Sequence, residues 1–289
     1  MRKGIILAGG SGSRLGPVTS SISKQLLPVF DKPMIYYPLS TLLLADIKDI
    51  LIISTPSHMP LYKKLLGDGS KWGIKLSYEI QNKPAGIGEA FILGEGFIGN
   101  DKIALILGDN IFYGNDLANI LGDAMSSSSE ATVFAYNVEN PVDYGVVEIG
   151  ENKNAISIEE KPSVPKSDFA VTGLYFYESS VVEVAKSIEP SERGELEITD
   201  INNYYLRNKQ LNVEILGRGI AWLDTGSPQN LIEAGQFIST IQRRQGLLVS
   251  CPEEIAFSKG YISDLDLLNI SKMYGSSEYS KYLMKLVNN

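Results

Sequence analysis

Arg14 and Lys24 stand in the stretch IILAGGSGSRLGPVTSSISKQLLP (residues 5–28), which also holds Gly9, Gly10, Gly12 and Gly16. A glycine-rich turn after an apolar strand lets successive backbone N–H groups point into one concavity, where phosphate oxygens bind. A Cβ would hold the anion away, and such nests use positive φ. An arginine forks onto a polyphosphate, while a lysine acts as a mobile point charge. The same residues also fit a tight turn with two solvated cations, and the stretch alone leaves both readings open. Two familiar phosphate motifs do not fit. Gly12 is followed by Ser13-Arg14 where a P-loop has Lys-Ser/Thr, and Leu15 stands where the dinucleotide fingerprint has its third glycine. The second apolar run ends in Ser54-Thr55-Pro56, without the acidic residue a dinucleotide site uses.

Asp109 ends the run IALILGD and Asp224 ends IAWLD. Both could project from strand C-termini, where α/β sheets place ligands. Two carboxylates in one site suit magnesium, which binds one or two of them plus substrate phosphates. Each could equally shape a turn before Asn110 or before Thr225-Gly226. With one histidine and one cysteine, a zinc cluster of those ligands is excluded. His58, in TPSHMP, reads as a solvated loop residue. The chemistry must run on carboxylates, lysines, arginines or a metal.

The elements that must hold these groups follow from patterning. KGIILA (3–8), DILIIST (49–55), IKLSYEI (74–80) and KIALILGD (102–109) read as strands. A helix over 34–45, with Pro38 implying a kink or a late start, and a helical LYKKLLG separate them. Strand and helix in alternation imply an α/β fold with a parallel sheet covered on both faces. Beyond Asp109, ATVFAYNV, GVVEIG, AISIEEKP and FAVTGLYFYE are closely spaced strands, implying an antiparallel or mixed region. Ser227 caps a helix with Pro228 at its first position. Two more helical segments, SDLDLLNISKMYG and SEYSKYLMKLVNN, follow. The expected organisation is an α/β core over 1–245 with a helical extension, 246–289, packed on it.

The chain has 289 residues, 44% hydrophobic and 21% charged, with net charge −8. That sign argues against a nucleic-acid partner but not against a small anion met by local cations. No apolar run approaches the ~20 residues that cross a bilayer, so no membrane partner is expected. MRKGIILAGG breaks at glycine too soon for a secretory signal. Cys251 alone rules out an internal disulfide framework and fits a reducing compartment, so the cytoplasm is the expected location.

LAGGSGSRLGPVT and SKQLLPVFDKPMIYYPL together resemble the signature of the sugar-nucleotide pyrophosphorylases. LGDNIFYG, DYGVVE, EEKP, TGLYFY, RGELEITDIN and AWLDTGSP stand in that family's order and narrow the resemblance to its thymidylyl-transferring branch. The resemblance implies a Rossmann-like three-layer nucleotidyltransferase fold with a mixed, mostly parallel sheet. It implies transfer of dTMP from dTTP to glucose 1-phosphate, with Asp109 and Asp224 as ligands of Mg2+. By the same resemblance Arg14 and Lys24 hold the triphosphate, with Gly9, Gly10, Gly12, Ser13 and Gln25 around it. Gln81 matches the residue that reads thymine, and a primary amide can donate and accept at an imide face. Gly86 would let base and ribose approach the backbone. Lys161 would pair with the sugar's phosphate; Asn110, Glu160, Gly145 and Val171 would contact the sugar, with Tyr144, Tyr175, Arg193 and Glu195 in the same pocket. The family's second nucleotide site, for nucleotide-sugar feedback at a subunit interface, would use Tyr113, Gly114, Arg218, Gly219, Cys251, Glu254 and Ile255. A homotetramer is implied too.

The chain departs from the family's pattern at Ser13, usually threonine, at Gly16, usually bulky, and at Ile87-Gly88-Glu89-Ala90, usually Leu-Ala-Gln-Ala. An anion at Glu89 bears on base or ribose preference. Rival readings are a UTP- or CTP-using transferase, a dinucleotide-dependent oxidoreductase and a non-catalytic nucleotide sensor. Retention of Arg14, Lys24, Asp109 and Asp224 together speaks against the last.

Overall fold

The first expected strand forms over Arg2–Leu7 (β1) and lies within a nine-stranded sheet. Ile5 and Ile6 are wholly buried on its opposite faces, each in a different apolar core, as strand alternation requires of a sheet covered on both sides. The computed structural model describes residues 2–10, 12–151 and 154–288; Ser11 of the glycine loop lies outside them. Short strands β2 (Pro28–Val29) and β3 (Lys32–Pro33) pair as a hairpin. β4 (Asp49–Ser54), β5 (Lys75–Ile80) and β6 (Lys102–Leu107) coincide with the expected strands to within a residue or two. They lie in the order β6, β1, β4, β5, all parallel.

The mixed region beyond Asp109 is as the sequence texture implies. After β7 (Asn110–Tyr113) come β8 (Ala131–Asn137), β9 (Gly145–Ile149), β10 (Ala155–Glu160) and β11 (Phe169–Tyr177). β11 runs antiparallel to β6, β8 and β9, and β10 antiparallel to β9. β12 (Leu211–Leu216) returns parallel to β8. β13 (Ala221–Asp224) leaves the sheet and pairs with β7 as a separate antiparallel ribbon.

The helix at Tyr36–Leu44 starts late, so Pro38 sits in its first turn, where a missing N–H breaks no bond. Ser227 Oγ accepts from Asn230 N at 3.1 Å and caps the helix Pro228–Gln245, which Gly246 ends at φ 71°. The tail carries the two expected helices, Asp264–Met273 and Glu278–Val287, and also Pro252–Ser258. Leu267 and Leu283 of the tail lie in one apolar core with Ile6, Leu39 and Leu42. Ile5, Leu51, Phe91 and Tyr177 fill the core on the other face. Among the described residues no helix is long and apolar enough to cross a membrane.

Candidate active site

The glycine loop leaves β1 and folds over a short turn, Ser13–Thr19. Gly10 and Gly12 adopt φ 92° and 61°. The Gly12 carbonyl accepts from Leu15 N and Thr19 Oγ1, both at 2.9 Å. Gly16, at φ 54° and ψ −126°, kinks the turn; few L-residues adopt that conformation. Gly9, Gly10, Gly12, Ser13, Arg14, Lys24, Gln25, Asp109 and Gly226 surround a hollow of about 230 Å³. Lys24 is only 8% exposed and its Nζ lies 2.5 Å from Asp109 Oδ2. Gln25 is buried, its Oε1 accepting from Ser23 Oγ at 2.8 Å and its Nε2 turned to the Gly9 carbonyl at 3.4 Å.

The two aspartates meet by a route the sequence does not show. Asp109 follows β6, in the main sheet, as expected. Asp224 also ends its strand, as expected, but that strand, β13, belongs to the ribbon with β7 and not to the main sheet. Ribbon register sets Asp224 opposite Asn110, and Thr225 closes the end by donating from N and Oγ1 to the Asp109 carbonyl at 3.3 and 2.8 Å. Burial, and next the Asp109 charge, raise the Asp224 carboxyl above the ordinary range; Lys24, Arg14 and the Gly226 N–H act against them. A Cβ on Gly226 would lie 2.9 Å from Asp224 Oδ2 and 3.0 Å from Arg14 Nη2. The bare Cα makes room for that cation beside the carboxylate.

A second hollow, of about 200 Å³, opens behind the aspartates and takes in Asn110, Tyr144, Gly145, Glu160, Lys161, Val171 and Tyr175. Thr199 Oγ1 donates to Glu160 Oε2 at 2.6 Å. A Cβ on Gly145 would come within 3.3 Å of that same oxygen. Lys161 stands at φ 44°, a conformation that costs a side chain of order 1–3 kcal/mol and that clusters at functional sites. Its backbone N–H donates to the Tyr144 carbonyl at 3.0 Å, and its Nζ is 4.0 Å from Glu160 Oε1. Burial, and then Glu160, push the Tyr175 phenol up; burial and Asp224 do the same to Tyr144. Thr199, Glu197, Gly173 and Trp222 also line this hollow and were not anticipated. Thr199 lies within RGELEITDIN, so the segment was visible although its role was not. Trp222 precedes Asp224 by two, the strand alternation that aims both at one side.

A third hollow, about 330 Å³, joins the first two and holds Gln81, Gly86, Ile87, Arg193 and Glu195. Arg193 and Glu195 sit here with Gln81 and Gly86, in a hollow that Glu160 and Lys161 line as well. The segment 191–197 crosses over residues 85–88: Leu196 N donates to the Ala85 carbonyl at 2.7 Å, and Gly88 N to that of Leu196 at 2.9 Å. Arg193 Nη2 binds Glu197 Oε1 at 2.8 Å, which keeps it on that crossing segment. Gly86 was expected to be bare for the nucleotide. It lines the hollow, but at φ 96° its missing Cβ points at the Leu196 backbone, 2.5 Å from the nitrogen. Gln81 is buried, and its Nε2 donates to Glu89 Oε2 at 2.7 Å.

The residues expected at a second nucleotide site divide. Gly114 packs against Gly219, whose carbonyl a Cβ would meet at 2.7 Å, and Arg218 beside it is exposed. Tyr113 donates to Gln245 Oε1 at 2.9 Å. Cys251 is buried, its thiol 3.2 Å from the Tyr279 hydroxyl. Glu254 and Ile255 lie on the tail helix Pro252–Ser258, where burial raises the Glu254 carboxyl. The Cys251 thiol therefore faces core rather than a surface nucleotide. His58 precedes the first turn of the helix Met59–Leu66 and its Nδ1 lies 3.0 Å from Thr55 Oγ1, away from all three hollows.

The nucleotidyl transferase family profile matches residues 3–241. A glucose-1-phosphate thymidylyltransferase of Neisseria meningitidis is 56% identical over 285 residues, covering 99% of both chains. One of Mycobacterium tuberculosis is 52% identical over the same length, with 99% of each covered. A crystal structure described as a glucose-1-phosphate thymidylyltransferase of Bacillus anthracis superposes with TM-score 0.77 at 43% identity, over 82% of this chain and 95% of that one. A UDP-glucose pyrophosphorylase complexed with UDP-glucose gives 0.73 at 26%, over 83% and 99%. With the fold and the site in agreement, the chain belongs to the nucleotidyl transferase family, alongside the glucose-1-phosphate thymidylyltransferases it resembles over nearly its whole length.

Proposed function

We propose that the protein transfers dTMP from dTTP to α-D-glucose 1-phosphate, giving dTDP-glucose and pyrophosphate. One observation carries this reading: Arg14 and Asp109 line all three hollows, so phosphate loop, base lobe and sugar lobe open onto one point. The relatives named as glucose-1-phosphate thymidylyltransferases supply the substrates.

The sugar phosphate needs no base to become a nucleophile, because a phosphate monoester has a second pKa of about 6. Its oxygen bonds to the α-phosphorus while the bond to the bridging oxygen breaks and pyrophosphate leaves with that electron pair. Bringing anions together and stabilising charge on the transferred group set the barrier. Arg14 and Lys24 meet the triphosphate and the leaving pyrophosphate. Lys161 meets the sugar phosphate, and Glu160, oriented by Thr199, accepts from sugar hydroxyls. The donor set fits magnesium: two hard carboxylates share one hollow, and the Asp224 carboxyl is raised by burial first and the Asp109 charge second, both of which a bound dication would offset. Asp109 and Asp224 would hold the ion, which when bound neutralises charge on the α-phosphate. Lys24 Nζ lies 2.5 Å from Asp109 Oδ2 beside that place.

Pyrophosphate release from glucose 1-phosphate with dTTP, UTP and CTP in turn tests the reading. Higher catalytic efficiency with dTTP is expected; a preference for UTP or CTP would overturn the base assignment. The uridylyl alternative draws on the likeness to the UDP-glucose-bound pyrophosphorylase. The reading extends to a homotetramer, with nucleotide-sugar feedback around Tyr113, Gly114, Arg218 and Gly219. Exposure of Arg218 and Gly219 beside Gly114 supports it, and sedimentation with and without dTDP-glucose tests it.

A further inference from the structure

β1 loses its neighbours one peptide at a time as it reaches the glycine loop. The last bond to β4 runs from Ala8 N to the Ile53 carbonyl at 2.8 Å, and the last to the β6 side from Gly108 N to the Leu7 carbonyl at 2.9 Å. β4 itself ends at Ser54, before Thr55 and Pro56. Among the described residues no backbone N–H reaches the Ala8 carbonyl. A side chain does: Ser54 Oγ donates to it at 2.9 Å from a wholly buried position. The Tyr62 hydroxyl lies farther off, 3.5 Å from the same oxygen and 2.7 Å from Ser23 Oγ.

The direction of that carbonyl decides the direction of the next N–H. A peptide unit is planar and trans, so the Ala8 C=O and the Gly9 N–H point opposite ways. With the carbonyl held toward β4, the Gly9 N–H is turned toward β6, where Asp109 follows Gly108. Among the described residues nothing accepts from it. Gly9 and Asp109 line the same two hollows, while Ser54 lines none of the three. Such a peptide needs a lock because Gly9 is permissive: without a Cβ, it lets the Ala8–Gly9 unit turn over at little cost. Turned over, the unit would offer an anion a carbonyl oxygen in place of an N–H.

We infer that Ser54 is a positioning residue for the nucleotide's phosphates: its buried hydroxyl holds the Ala8–Gly9 peptide with the N–H toward the phosphate that comes to rest beside Asp109. This rests on the thymidylyl-transfer reading and deepens it, by giving the glycine loop a support from outside the site. The hydroxyl touches no substrate. It acts through one peptide, so its removal weakens the grip on phosphate and leaves base and sugar contacts as they were.

Ser54→Ala removes the donor and adds no bulk. Titration calorimetry of dTTP with magnesium, on the full chain and on the variant, reads the grip without requiring turnover. Affinity for dTTP is expected to fall about tenfold, the scale of one hydrogen bond to a charged group. Thymidine carries no phosphate, so its affinity, read by competition against dTTP in the same titration, should stay within about twofold. Ser54→Thr keeps the hydroxyl and should restore dTTP affinity to within about threefold. Tyr62→Phe, which removes the more distant hydroxyl, should cost less than about threefold. Unchanged dTTP affinity in Ser54→Ala, or an equal loss for thymidine, overturns the role of Ser54. So does a folded Ser54→Thr as weak as the alanine variant, or a loss in Tyr62→Phe as large as in Ser54→Ala. Pyrophosphate release by the unaltered chain is the separate control: its absence with dTTP and glucose 1-phosphate would sink the transfer reading, while the comparison of dTTP with thymidine would still decide this one.

Discussion

The Trp222 indole Nε1 donates to Asn110 Oδ1 over 2.6 Å, and the same oxygen accepts from Gly173 N at 3.0 Å. With its oxygen held twice, Asn110 turns its Nδ2 to Asp109 Oδ1 at 3.1 Å. An indole on the ribbon and an amide from β11 thus orient one oxygen of a metal-site candidate.

Trp222→Phe keeps most of the ring but removes the donor. Losing one hydrogen bond to a buried amide costs about 1 kcal/mol of stability, which a thermal melt reads. The expected larger effect is on turnover, roughly a tenfold loss of kcat with little change in either KM. An unchanged kcat would show that Asp109 needs no such support.

Asp224 carries a sign that can be checked. Its folded pKa lies above the ordinary value, with burial first and Asp109 second as the causes. Such a group binds its proton more tightly when folded, so it favours folding below the unfolded pKa of about 4 and costs stability as pH rises through the folded value. Asp224→Asn should therefore melt higher than the unaltered chain at pH 7, with the advantage disappearing in acid. Its turnover should fall by about a hundredfold or more, as when a stabiliser of transition-state charge is lost. Asp109→Asn should lose turnover equally but melt lower, since the buried Lys24 Nζ would lose its carboxylate partner. Denaturation at two pH values, beside a turnover assay, separates the two aspartates.

Gly86→Ala tests the crossing of segment 191–197 over 85–88. The added methyl meets Leu196 backbone, not a side chain that could swing away, at a φ of 96°. A destabilisation of about 1–3 kcal/mol is expected. The KM for nucleotide should rise as well, because both segments line the base lobe. Normal stability with raised KM would return the glycine to a purely nucleotide-facing role.

Lys161→Ala should raise the KM for glucose 1-phosphate by tenfold or more, the worth of a charge-assisted hydrogen bond of about 1.5–3 kcal/mol. The KM for dTTP should move by less than about threefold. Initial-rate measurements with each substrate varied in turn give both numbers, and the reverse ranking would reassign the lysine to the triphosphate.

The parallel half of the fold was legible because buried strands announce themselves as β-branched runs closed by glycine or proline, and β1, β4, β5 and β6 do. The glycine loop was legible for a related reason: Gly9, Gly10 and Gly12 have no local excuse in a well-packed chain. What could not be read were relationships made by the fold alone. Asp224 looked like a residue of the main sheet because its run, IAWLD, is as apolar as the others; only pairing with β7 shows that it belongs to the ribbon. Arg193 and Glu195 carry no pattern that says which lobe they enter, since the crossing at Leu196 places them. The short helices Glu89–Leu93 and Val181–Ser187 fell below the length at which helical spacing stands out. Thr199 on Glu160 and Glu89 on Gln81 are contacts between elements distant in the chain or turned by a loop, invisible to any local window.

The ribbon of β7 and β13 has a consequence for how such a chain can diverge. Because Asp224 is opposite Asn110 through backbone pairing, the spacing of the two aspartates depends on four rungs of a ladder and not on the hundred-odd residues looped between them. That intervening chain can lengthen, shorten or trade its sugar-facing side chains while the reactive centre stays in register. A single-residue slip within the ladder, by contrast, would turn one carboxylate to the opposite face. Substrate range and chemical step are in this way free to change at different rates.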